Sequence, residues 1–159
     1  MVVCCISASA HELVDILSAV LRAVEGRDVE MTSILTEKEP PQLIIIDSIS
    51  ALLAPVLTTS ARGHALMMSI ATALRTLTRE HNVIIITTNG VTKMHKNANY
   101  KSALGTSWIE VADTRITLQE PADTSQAIGV TQIEANVITS NRIQPKKGGI
   151  FQISGAGIT

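Results

Sequence analysis

The stretch Gln42–Ser50, QLIIIDSIS, narrows the folds open to this chain more than any other. Leu43, Ile44, Ile45 and Ile46 are consecutive large apolar residues that follow Pro40 and Pro41 and run straight into Asp47 and Ser48. A short, mostly β-branched run bounded by breakers reads as a strand buried on both faces, the kind that occupies the middle of a parallel sheet. Asp47 then sits at the carboxyl end of the strand, outside which open α/β sheets bind their ligands. An aspartate that caps a turn through Ser48 is the plainer alternative. The same pattern also describes the strand that brings a carboxylate to magnesium in phosphate-loop nucleotidases.

The flanking segments fit an α/β arrangement. Val2–Ile6 is a short apolar strand candidate, and Ser9 with Glu12 three residues on is a capping-box signature. Leu13, Ile16, Leu17, Val20, Leu21 and Val24 then recur at helical spacing, with Gly26 as the stop. Arg27–Pro41 is polar and reads as a linker. After Asp47, Ala54–Gly63 (APVLTTSARG) is expected as a surface loop. Ala61–Glu80 is the longest helical pattern, with Leu66, Met67, Ile70, Leu74 and Leu77 on one face and Arg62, Arg75, Arg79 and Glu80 largely off it. Met67 and Met68 read as core or near-core filler. His81–Asn82 ends this helix, and Val83–Thr87 (VIIIT) is a second strand expected to be buried on both faces. Strand, helix, strand, helix, strand in this order predicts a right-handed parallel α/β unit that brings Thr88 and Asn89 beside Asp47. Arg115–Leu118, Val130–Val137 and Ile150–Ile153 read as strands, with Glu120–Gly129 as a polar turn, so the sheet is expected to become mixed at one edge.

At 159 residues the chain is expected to be a single domain, residues 1–159. One Phe, one Trp and one Tyr leave the core to aliphatic side chains. A net charge of -1 carries no global nucleic-acid signature, so any such role must come from local clusters. One is present: between His81 and Ile109 there is no acidic residue, while Lys93, Lys96 and Lys101 fall in an aperiodic stretch with Asn97, Asn99 and Gly105. This predicts a long mobile basic loop. It is either a solvated surface segment or a phosphate-contacting one, since lysine attracts a polyanion without demanding fixed geometry. A second acid-free stretch after Glu134 carries Arg142, Lys146 and Lys147. Trp108 either stacks on a base or anchors the segment after the loop, and the neighbouring Ile109 and Val111 favour the anchor. Cys4 and Cys5 lack the spacing of a metal site and read as reduced, buried small hydrophobes of an intracellular protein. No apolar run approaches a membrane span, so the protein is expected to be soluble.

With these segments placed, the chain resembles the carboxyl-terminal part of the RecA-type recombination ATPases. Within that family it is most similar to the D-type branch of the eukaryotic DNA-repair paralogues. LIIIDSISALLAPVL, ALMMSIATALRTLTREHNVIIITTN and KSALGTSWIEVADTRITL carry the resemblance, in the family's order, and it extends over nearly the whole chain from Val2 to Ile153. Ala65–Met68 and Ala103–Trp108 point to the paralogue branch rather than to a bacterial or archaeal recombinase.

The resemblance implies a RecA-like P-loop NTPase core: a parallel sheet with helices on both faces, mixed at the carboxyl-terminal edge and lacking the P-loop strand at its amino-terminal side. It implies nucleotide contacts from Asp47, Ser48, Thr88 and Asn89, with Asp47 supporting magnesium through water. Gly90 departs from the polar residue that usually follows that asparagine and relays nucleotide state to the DNA loop. Ala54–Gly63 and Val91–Gly105 fall where the family places its DNA-facing loops, which makes Arg62, Lys93, Lys96 and Lys101 the expected DNA contacts. ATP and magnesium are the family's cofactors. The implied partners are other recombinase paralogues and single-stranded DNA, with no membrane, and the implied location is the nucleus. The implied function is DNA repair by homologous recombination within a paralogue complex. No G-x-x-x-x-G-K-S/T occurs in the 159 residues, and the resemblance starts after the position of that loop. The gap left by its strand is expected to be closed by Val83–Thr87 pairing with a carboxyl-terminal strand, or to be covered by a partner. An active DNA-dependent ATPase in a longer form and a protein-interaction module that keeps only the fold remain the alternatives.

Overall fold

A computed structural model describes residues 7, 9–27, 41–57, 61–94, 99–121, 129–140 and 148–159. The expected strand Val2–Ile6 with its cysteines, most of the linker before Pro41, Lys96, the middle of the turn after Glu120, and Arg142, Lys146 and Lys147 lie outside the described residues. The chain divides into two compact units, Met1–Val111 and Ala112–Thr159.

In the first unit, Ser9 caps helix α1 (Ala10–Val24), its Oγ accepting from the Glu12 N–H at 3.2 Å as the capping signature predicts. Leu13, Leu17 and Val20 turn inward, and the chain leaves the helix at Gly26 with φ 68°, a left-handed turn that costs glycine little. Strands β1 (Leu43–Ile46) and β2 (Ile84–Thr87) pair in parallel, from Leu43 opposite Ile84 to Ile46 opposite Thr87. Helices α2 (Ile49–Leu57) and α3 (Ala61–Glu80) connect them. Ile49, Leu53, Met67, Ile70 and Leu77 are fully buried and form one core with α1, Ile46 and Val83, against which Ile44 and Ile85 pack.

The two strands are not buried on both faces, and among the described residues helices do not cover both sides of the sheet. Leu43, Ile45, Ile84 and Ile86 are 49, 62, 63 and 49% exposed. Period-2 alternation sends Ile44, Ile46 and Ile85 to the core side and these four to the other, so an unbroken apolar run supplies two apolar faces of which one is covered. Of the loop expected over Ala54–Gly63, Ala54–Leu57 belong to α2, which runs through Pro55, and Ala61–Gly63 open α3, while residues 58–60 lie outside the described residues. Proline removes one helical donor, but burial of Leu53 and partial burial of Val56 and Leu57 outweigh the breaker. Gly63 lets the helices meet, since a Cβ there would strike the Val56 carbonyl. Met67 is core as expected, whereas Met68 is exposed.

The expected basic loop is instead an antiparallel hairpin of β3 (Val91–Met94) and β4 (Asn99–Ser102). Val91, Thr92 and Tyr100 suit strands, and Asn97 lies outside the described residues. Gly105, at φ 73°, then opens the short helix α4 (Gly105–Ile109), which buries Trp108 beside Leu104 in the core. Arg75 of α3 donates to the Glu110 carbonyl and pins the end of this segment.

The second unit is a four-stranded antiparallel sheet, in order β5 (Thr114–Gln119), β6 (Val130–Ser140), β7 (Gly148–Ser154) and β8 (Gly157–Ile158). Among the described residues it shares no strand pairing with the parallel pair, so there is no single sheet mixed at its edge and no carboxyl-terminal strand on β2. Three of its strands match the predicted ones, each longer by a few residues, and β8 is too short to leave a pattern. The register aligns Ile116 with Val137, Ile133 with Phe151, and Ile153 with Ile158 on one apolar face. The opposite face is polar, and there side-chain hydrogen bonds from Asn136 and Gln119 hold the Glu134 carboxyl below its ordinary value. Among the described residues no helix is long and apolar enough to cross a membrane.

Candidate functional site

Strands β1 and β2 end side by side, so parallel register carries the residues after them to one place. Ile46 lies opposite Thr87, which makes Asp47 and Thr88 the next pair, and Thr88 Oγ1 donates to Asp47 Oδ1 at 2.5 Å. A hydroxyl on a carboxylate at this distance is a strong, charge-assisted bond. The backbone ties the same junction: the Thr88 N–H reaches the Ile46 carbonyl and the Ile49 N–H reaches the Thr88 carbonyl, both at 3.1 Å. The Asp47–Ser48 peptide is cis. Ser48 Oγ accepts from the Ala51 N–H at 3.3 Å and so caps the start of α2. Asp47, Ser48, Thr88 and Asn89, the four residues expected to face a nucleotide, are therefore gathered at the carboxyl ends of the two strands, with Asp47 and Thr88 exposed.

Two further residues complete the cluster. Ser50 is a buried polar residue whose Oγ accepts the Gly90 N–H at 2.9 Å and lies 3.4 Å from Ser48 Oγ. Asn89 Nδ2 donates to Ser102 Oγ at 2.7 Å, and its Oδ1 is buried with no hydrogen-bond partner among the described residues. Such an amide oxygen calls for a donor from water or a ligand. Ser50 left one trace in the sequence, as a lone hydroxyl in the apolar opening of α2. Ser102 left none.

The hairpin is rooted in this cluster. Gly90 precedes β3, Ser102 ends β4, and the Ala103 N–H closes the neck on the Gly90 carbonyl at 3.0 Å. In the ladder Lys93 stands opposite Tyr100, and Lys101 opposite Thr92. Lys96 lies outside the described residues. Arg62 is exposed in the first turn of α3.

A single exposed carboxylate suits an outer contact to hydrated magnesium, and among the described residues no three His, Cys, Asp or Glu side chains gather to hold an ion directly. The 159 residues contain no glycine-rich loop with the lysine that cradles phosphates. These residues fit a contact to a magnesium–phosphate group held elsewhere.

No protein-family model matches the chain. It is similar to the protein named DNA repair protein RAD51 homolog 4 from Bos taurus, 38% identical over 89 residues, which cover 55% of this chain and 26% of that protein. The Mus musculus protein of the same name is 41% identical over 78 residues, covering 48% of this chain and 24% of its own length. The likeness to a DNA-repair paralogue of the RecA type is thus borne out, over about half of the chain rather than nearly all of it. The chain spans about a quarter of the length of the curated relatives it matches.

Proposed function

We propose that this chain acts in DNA repair by homologous recombination, as a recombinase-paralogue subunit that contacts single-stranded DNA through the hairpin between Gly90 and Ala103. One observation supports the reading above others: the acid-free lysine segment grows out of the strand-end cluster of Asp47, Ser48, Thr88 and Asn89, in a chain similar to a DNA repair protein. The first unit is then part of a RecA-like core, working in the nucleus alongside other paralogues that hold the nucleotide. DNA-dependent ATP turnover belongs to a form that also carries the phosphate-cradling loop.

Lysines act here as point charges on phosphates. Changing Lys93, Lys96 and Lys101 together to Ala is expected to weaken binding to all single-stranded sequences alike, and to flatten the salt dependence by roughly 0.7 of a slope unit for each phosphate no longer neutralised. Fluorescence anisotropy of a labelled oligonucleotide across a salt series measures both. A slope that does not move assigns the lysines to solvated surface. The exposed face of Leu43, Ile45, Ile84 and Ile86 favours a second reading, a module that only binds protein. Failure of the unaltered chain to bind single-stranded DNA at low salt selects that one.

A further inference from the structure

We infer that Ser50 is a positioning residue: its buried hydroxyl fixes the basic hairpin to the strand-end cluster, and the hold on single-stranded DNA depends on it although Ser50 itself stands back from the DNA. The inference rests on the DNA reading above for its second half only.

The pattern of bonds leads to Ser50. Ladder bonds hold β3 to β4, but they say nothing of where the pair is held. The Asn89–Ser102 and Ala103–Gly90 bonds close the neck of the hairpin on itself. On its carboxyl side the neck is anchored by burial of Leu104 and Trp108. On its amino side the Gly90 N–H reaches Ser50 Oγ at 2.9 Å, in the first turn of α2, three residues after Asp47. Glycine at 90 carries no side chain of its own to pack, and a Cβ there would already lie 3.4 Å from Ser50 Oγ. Among the described residues Ser50 thus holds the hairpin's amino side through Gly90, as burial of Leu104 and Trp108 holds its carboxyl side, and a hairpin released at one side can pivot about the other. Affinity for a ligand falls in proportion to the fraction of molecules in the competent arrangement, so a pivoting hairpin binds more weakly through the same lysines.

Ser50→Ala removes the acceptor without adding an atom, and Ser50→Thr keeps a hydroxyl. In the Ala variant, exchange of the Gly90 and Ala103 amides, resolved by NMR, is expected to quicken about three- to tenfold, the range that one hydrogen bond's net worth spans. Amides of β1, β2 and α3 should keep their rates. Affinity for oligothymidylate should follow the closed fraction that these rates imply, at an unchanged salt slope, because every lysine keeps its phosphate. Thr should restore both. Unchanged exchange at Gly90, a rise spread evenly through β1, β2 and α3, or an affinity that departs from the closed fraction would each overturn the inference. If the unaltered chain does not bind oligothymidylate, the DNA reading falls with its half of the inference, and the exchange rates alone decide the attachment.

Discussion

Trp108 follows a basic hairpin, where an aromatic ring invites a base-stacking role. Its burial decides otherwise, because a ring 6% exposed beside Leu104 in the core has no face to offer a base. Trp108→Ala is therefore expected to cost about 3 to 5 kcal/mol of stability, a large share of the ~5 to 15 a domain has. Denaturant unfolding measures the loss, and DNA affinity compared at a temperature where both proteins are folded should change much less; the reverse ranking would return the ring to the DNA. At this scale the strand-end residues were legible. Asp47 and Thr88 each end an apolar run, and parallel pairing makes them neighbours. Ser50 and Ser102 were not, because their bonds reach 40 and 13 residues along the chain and neither residue type demands a partner. Met68 shows the complementary limit, since an apolar residue next to a core position carries no mark of the face it takes.

The parallel pair of strands makes a prediction at the scale of one element. The Ile84 N–H meets the Gln42 carbonyl at 2.8 Å and the Thr88 N–H meets that of Ile46 at 3.1 Å, so alternation gives Ile86 a bond to Ile44 and turns the Ile85 and Thr87 amides to the opposite edge. In the isolated chain, hydrogen exchange should accordingly be slow at Ile84, Ile86 and Thr88 and fast at Ile85 and Thr87. Protection at all five would mean that another strand lies along β2. Helices α1 and α3 were legible from caps and 3.6-residue periodicity, which short elements lack. α2 hid behind Pro55, whose breaking tendency yields to the burial of Leu53. The hairpin hid behind its lysines and asparagines, because two four-residue strands are held by each other's backbone and need no apolar pattern.

Each unit, taken whole, has one apolar sheet face that remains open. In the first it is Leu43, Ile45, Ile84 and Ile86; in the second, Ile116, Leu118, Ile153 and Ile158 are all exposed. Monomeric proteins seldom expose contiguous apolar patches of more than about 300 to 600 Å², so the isolated chain is expected to self-associate as its concentration rises. Replacing Ile45 and Ile86 by Thr keeps β-branching while removing apolar surface, and should shift sedimentation towards the monomer with little change in unfolding midpoint. An unchanged association would place the interface on the other sheet, where Ile116 and Leu118 can be replaced in the same way. The apolar runs correctly announced strands and a parallel pair. What they could not disclose is coverage, because a residue's preference for burial is its own property whereas the surface that buries it belongs to another element.

The bonds at the hairpin neck also bear on how the molecule ages. Asn89 is followed by glycine, and in a loose chain the unshielded Gly90 nitrogen can attack the Asn89 side-chain carbonyl carbon, expel ammonia and close a succinimide that water opens to aspartate or isoaspartate. In the fold that nitrogen is engaged by Ser50 Oγ and the amide it would displace by Ser102 Oγ. Chemical wear at this junction therefore needs the neck to open first. Deamidation of the Asn89–Gly90 peptide, followed by mass spectrometry during storage, should lag far behind that of the unfolded chain and gain speed in Ser50→Ala, making the site a built-in record of how often the hairpin has come loose.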